Sequence, residues 1–111
     1  MKTTVRRIGP VALYGFRGDL DGTIAHPFLA EVDRLLDQGV RTLVINASSI
    51  GFMSSKGLSA LAEARRRCRE RGGELAIASP SPAMRQLLDL LELHDALPIY
   101  ASEAAACSAQ A

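Results

Sequence analysis

The apolar run Thr42-Leu43-Val44-Ile45-Asn46 leads through a short connection into Gly51-Phe52-Met53-Ser54-Ser55-Lys56-Gly57-Leu58, and a long helical pattern follows. A strand that is apolar at successive positions needs cover on both faces. Helices must therefore lie above and below a largely parallel sheet, and this one junction restricts the chain to strand–helix alternation. At the helix start stand two serines and a lysine. A serine there is a natural N-cap, because its hydroxyl accepts from amide groups that the first turn leaves free. The same position also presents a hydroxyl that a kinase could phosphorylate. Local chemistry leaves both roles open.

The rest of the chain supplies the alternation. Residues 3–8 read as a first strand, Gly9-Pro10 as a turn, and Val11 to Phe16 as a second strand, giving a hairpin. Gly18-Asp19-Leu20-Asp21-Gly22 reads as a loop by composition, with Asp21 or Thr23 capping the first helix. That helix has one apolar face, Phe28, Leu29, Val32, Leu35 and Leu36. Pro27 is placed in its first turn and Gly39 at its C-terminal cap. The third strand is expected from Thr42 to about Ala47. The second helix carries a stripe of Leu58, Leu61, Ala62, Arg65 and Cys68 and ends at Gly72-Gly73. Glu74 to Ala78 is the fourth strand, and Ser79-Pro80-Ser81-Pro82 is a loop and cap. Met84, Leu87, Leu88 and Leu91 form the face of a third helix. Leu97 to Tyr100 is a last strand, at an edge because of Pro98. Ser102 to Ala111 is alanine-rich and helix-prone. The expected fold is α/β, a mixed sheet in the order β-β-α-β-α-β-α-β-α, in one domain spanning residues 1–111.

Several function classes lose support. The net charge of +1 gives no global field for nucleic acid, although Arg65-Arg66-Arg67, Arg69 and Arg71 form a local basic run. No stretch is long and apolar enough to span a bilayer, and no signal-type segment follows the N-terminal arginines. Cys68 and Cys107 match no metal spacing, so a cytoplasmic protein with reduced thiols is expected. Cys68 reads as a small buried hydrophobe. His26 and His94 lack the partners of a catalytic base. There is no phosphate loop, metal cluster or nucleophile–base pair. A non-enzyme without cofactor or metal is expected.

Three segments, in order, carry a resemblance. Phe16-Arg17-Gly18-Asp19-Leu20-Asp21-Gly22-Thr23-Ile24-Ala25 is similar to a G-(E/D)-L-D-x-x-T-A loop. Leu43 to Asn46, continued by Phe52-Met53-Ser54-Ser55-Lys56-Gly57-Leu58, is similar to a strand followed by F-M-D-S-(S/T)-G-L. Gly72-Gly73-Glu74-Leu75, leading to Ser81-Pro82 and Leu97-Pro98-Ile99-Tyr100, completes the set. Together they resemble the STAS-domain family of bacterial anti-sigma factor antagonists over nearly the whole chain. The resemblance implies a partner-switching cycle with Ser55 as phosphoacceptor. A serine kinase that is also the anti-sigma factor binds the unphosphorylated antagonist and releases it after phosphorylation. A metal-dependent serine phosphatase resets it. Asp19, Asp21, Met53, Ser54, Ser55 and Lys56 are the expected partner-binding residues, with the exposed arginines of the second helix beside them.

Three departures from the family pattern stand out, one of them Leu91-Glu92, where the family often has a threonine and a helix-ending glycine. Ser54 stands where the family has aspartate, and Lys56 replaces a hydroxyl residue. Ser54 retains the ability to cap. Lys56 would either offset part of a phosphate charge on Ser55 or pair with an acidic group on a partner. A non-switching STAS interaction subunit of a transporter or signalling complex is the alternative these changes favour. A nucleotide- or lipid-binding regulator is a further one. Met53 is either core or an adaptable exposed contact.

Overall fold

A computed structural model describes residues 2–90 and 97–109. Its elements are β1 (Lys2–Ile8), β2 (Val11–Leu20), α1 (Gly22–Asp37), β3 (Thr42–Met53), α2 (Ser55–Glu70), β4 (Glu74–Ala78), α3 (Pro82–Leu90), β5 (Ile99–Tyr100) and α4 (Glu103–Ala109). The strands form one sheet in the order β1-β2-β3-β4-β5. β1 runs antiparallel to β2 through the expected Gly9-Pro10 hairpin, and the remaining pairs are parallel. Glu92 and His94 lie outside the described residues, as does Leu91 of the expected third-helix face.

Alternation along the strands sorts their side chains onto two faces. One face contributes Tyr14, Phe16, Leu43, Ile45, Leu75 and Ile77 to the main core. α1 covers it with Ile24, Phe28, Val32, Leu35 and Leu36, and the Phe28 ring meets Tyr14 edge-on at 5.6 Å. On the other face Leu13, Val44, Ala76 and Ala78 pack with Ala106 of α4. Val44 and Ala76 are fully buried there, with Val11, Tyr100 and Cys107 packed around the cluster. The start of α4 is fastened by Glu103, which accepts from Arg6 at 2.9 Å and from Asn46 Nδ2 at 3.1 Å.

Helix ends follow local chemistry. After α1, the amides of Gly39 and Val40 donate to Leu36 and Leu35. After α2, those of Gly72 and Gly73 donate to Arg69 and Cys68. These are two Schellman closures, with Gly39 and Gly72 supplying the positive φ each requires. Ser81 caps α3, accepting from Met84 N at 3.1 Å and donating to Ile50 O at 2.7 Å, so the helix is tied to the end of β3.

Four expectations need correction. β3 does not stop at Ala47; it runs twelve residues to Met53. The Gly18–Gly22 stretch is not a loop at its start, because β2 continues through Asp19 to Leu20. One cause explains both. The β2–β3 register slips between Gly15 and Arg17 and again between Gly18 and Asp19, and each slip places an extra residue in β3. Such bulges accommodate a composition that otherwise signals a turn. Pro27 is not in the first turn of α1, which starts at Gly22; it sits inside the helix on the exposed side. Ala62 is exposed, whereas Gly57, Ala60 and Ala64 share the buried stripe with Leu61 and Cys68.

Candidate functional site

The C-terminal ends of β2 and β3 meet the starts of α1 and α2. Asp19 lies opposite Phe52 and Leu20 opposite Met53 in the sheet. The amide of Ser54 then donates to Leu20 O at 3.0 Å, extending the pairing to the edge of α2. The chain turns there, with Ser54 extended as N-cap. Its hydroxyl accepts from Gly57 N at 3.1 Å, and its carbonyl accepts from Leu58 N at 2.9 Å. Gly57 is buried against β2. A Cβ at this position would collide with the Leu20 carbonyl oxygen, and the carbonyl carbon would lie at 2.7 Å. Only the bare backbone of glycine lets α2 begin so close to the sheet.

The two serines thereby separate in role. Ser54 is half-buried and its hydroxyl is committed to the cap. Ser55, the first residue of α2, is exposed, and its hydroxyl has no hydrogen-bond partner among the described residues. Ser54→Ala is expected to cost about 1 kcal/mol by loss of the cap. Chemical denaturation would measure it, and an unchanged midpoint would show that another group holds the turn.

The other expected residues are distributed as follows. Asp21 caps α1: its Oδ1 accepts from Thr23 N at 2.9 Å and from Thr23 Oγ1 at 2.6 Å. The Thr23 hydroxyl and amide hold its carboxyl below the usual range. Asp19 is exposed near Gly51. Lys56 is exposed, and its aliphatic stem lies across Gly22, with Cδ 2.8 Å from where a side chain on that glycine would begin. Of the two alternatives for Met53 the structure has the core one, with the side chain 4% exposed. The exposed side chain is its neighbour Phe52, at 59%. Sequence reading passed over Phe52 because the bulges in β3 break the alternation that would have shown which way it points. Beside it an apolar cavity of about 580 Å³ opens between the end of β3 and α3, lined among others by Ile50, Phe52, Met84, Leu87 and Leu90.

The arginines of α2 are not an open basic surface. Arg65 forks onto Glu74 at 2.8 and 3.2 Å. Arg66 pairs with Glu63 and Glu70, and Arg67 with Glu63 and Asp33. Arg69 reaches Glu74, and Arg71 reaches Asp37. Hydrogen bonds from Arg66 and Arg67 lower the Glu63 carboxyl to about 2. Among the described residues no cluster of His, Cys, Asp and Glu could hold a metal, and no helix is long and apolar enough to cross a membrane.

Fold and site together define a small α/β domain that presents one free hydroxyl at a capped helix start. The STAS domain family matches residues 2–106, and the chain belongs to that family. It is 24% identical over 111 residues to the anti-sigma-F factor antagonist RsfA of Mycobacterium tuberculosis, covering 98% of this chain and 87% of that protein. It is 27% identical over 89 residues to an anti-sigma F factor antagonist of Paenibacillus polymyxa, covering 76% of each. Among solved structures, the unphosphorylated anti-sigma factor antagonist SpoIIAA superposes with a TM-score of 0.80 at 20% identity, covering 97% of this chain and 95% of SpoIIAA. Phosphorylated SpoIIAA from Bacillus superposes at 0.73 and 21% identity, covering 97% and 98%.

Proposed function

We propose that this chain is an anti-sigma factor antagonist, cytoplasmic and without enzymatic activity of its own, that works by partner switching. Unphosphorylated, it binds a serine kinase that is also an anti-sigma factor. Phosphorylation of Ser55 releases it, and a metal-dependent serine phosphatase restores it. The observation that carries this reading is the exposed hydroxyl of Ser55, unused by the fold and held at a helix start whose cap is Ser54. The names of the relatives support the same class.

The physics of the switch is local. A phosphate brings close to two negative charges and three strong acceptors. A helix N-terminus accommodates an anion, because its free amide groups and dipole favour negative charge. The fold therefore has no reason to rearrange, and the exposed surface changes instead. A phosphopeptide map after incubation with ATP and the kinase encoded nearest to this gene tests the assignment. Phosphate on Ser55 is the expected result. Phosphate on Ser54 would move the site into the cap and contradict the separation of roles. No phosphate with a complex still forming would favour a constitutive interaction subunit, the reading that Lys56 beside Ser55 supports.

A further inference from the structure

We propose that Lys56 and the shallow groove beside it form a charge-selecting docking site for a partner segment carrying a carboxylate next to a small apolar side chain. The inference deepens the reading above, taking the kinase as the partner.

The four arginines of α2, and Arg71 at its C-terminal cap, all have carboxylate partners. Lys56, at the other end of the same helix, has no ion pair among the described residues. It also stands at the end of the helix that disfavours a cation. The free amide groups of the first turn carry positive partial charge, and α1 starts beside it with the same polarity. Neither helix has an acidic residue in its first turn to compensate. Asp21 has one oxygen engaged by Thr23, and Asp19 makes no ion pair with Lys56. Lys56 therefore stands at the start of α2 without an ion pair among the described residues, and the first turn of that helix carries no carboxylate.

Its position is nonetheless controlled. The absence of a side chain on Gly22 lets the lysine stem lie down between the two helices. There it closes one end of a groove of about 340 Å³ whose floor is Ala25, Leu29 and Ala60, with Glu63 towards the other end. Glu63 is already neutralised by Arg66 and Arg67. The groove thus offers an apolar floor and one uncommitted charge, and that charge is positive. A partner that fills it must bring a negative group to the Lys56 end, one residue from the Ser55 hydroxyl. Like-charged partners are rejected at the same point.

The test is titration calorimetry of the purified chain with the neighbouring serine kinase, without ATP, using wild type, Lys56→Ala, Lys56→Glu and Ser55→Asp. Loss of a close charge pair should weaken Lys56→Ala about tenfold and Lys56→Glu about a hundredfold or more. Added salt should weaken wild type more than Lys56→Ala. Lys56→Glu should melt no lower than wild type, since a carboxylate suits that helix end; this separates lost binding from lost folding. Binding of Lys56→Glu within about twofold of wild type would overturn the inference. If Ser55→Asp loses binding while Lys56→Glu keeps it, the switch stands and the docking site falls. If Lys56→Glu loses binding while Ser55→Asp keeps it, the docking site stands and the switch falls.

Discussion

Ser55→Asp is expected to bind the kinase about a hundred- to several-thousand-fold more weakly than wild type, because burying an uncompensated charge costs about 3–5 kcal/mol. Its melting temperature should stay close to that of wild type. The contrast between the two measurements is the point. Ser55 is exposed and its hydroxyl makes no hydrogen bond among the described residues, so the fold loses nothing when it is replaced. The new carboxylate sits where the first-turn amides favour an anion. A binding partner packed over a neutral hydroxyl has no such compensation and must desolvate the charge. Equal binding by Ser55→Asp and wild type would remove charge as the switching principle. Ser55→Ala serves as the companion variant and should bind without responding to ATP.

Gly57→Ala is expected to act on the opposite quantity. In an ordinary exposed helix the change would stabilise by about 1 kcal/mol. Here the added methyl would meet the Leu20 carbonyl, a backbone group that is itself hydrogen-bonded to Ser54. Relief requires α2 to move off the sheet, so a loss of about 3 kcal/mol is expected, at the upper end of what overpacking costs. For a domain of this size that corresponds to about 10–20 °C in melting temperature. Gly51→Ala is the control. Its nearest neighbour would be Asp19 Oδ1 at 3.6 Å, an ordinary contact, and the backbone there is not in the left-handed region. A Gly57→Ala protein as stable as Gly51→Ala would show that the helix start is looser than its geometry indicates.

The parts of this molecule that sequence made legible are those governed by a clear period or a local cap. The face of α1 follows a helical repeat, and Phe28, Val32, Leu35 and Leu36 are buried as expected, with Leu29 at their margin. The junction at Ser54 was readable because cap chemistry is set by neighbouring residues. Local chemistry alone did not decide which serine caps and which remains free. That depends on Gly57 docking against β2, a contact between distant parts of the chain. The long ends of β2 and β3 were hidden for a related reason. Their pairing is stepped by two bulges, so Ile50 and Met53 are buried three residues apart instead of two. The same step turned Phe52 outward and Met53 inward. The pairing of the arginines was only partly legible, because sequence spacing brings Glu63 and Glu70 within reach but not Asp33 and Asp37, which α1 brings from across the helix pair.

The cap made by Ser54 has a kinetic consequence. The first turn of α2 is closed by one serine and modified, on our reading, at the next. Adding or removing a phosphate then breaks none of the bonds that hold the turn. No segment has to unfold and refold between the two states, and no slow relaxation is stored in the domain. Its memory would lie wholly in the covalent bond, so the interval spent in each state would be timed by the kinase and the phosphatase alone.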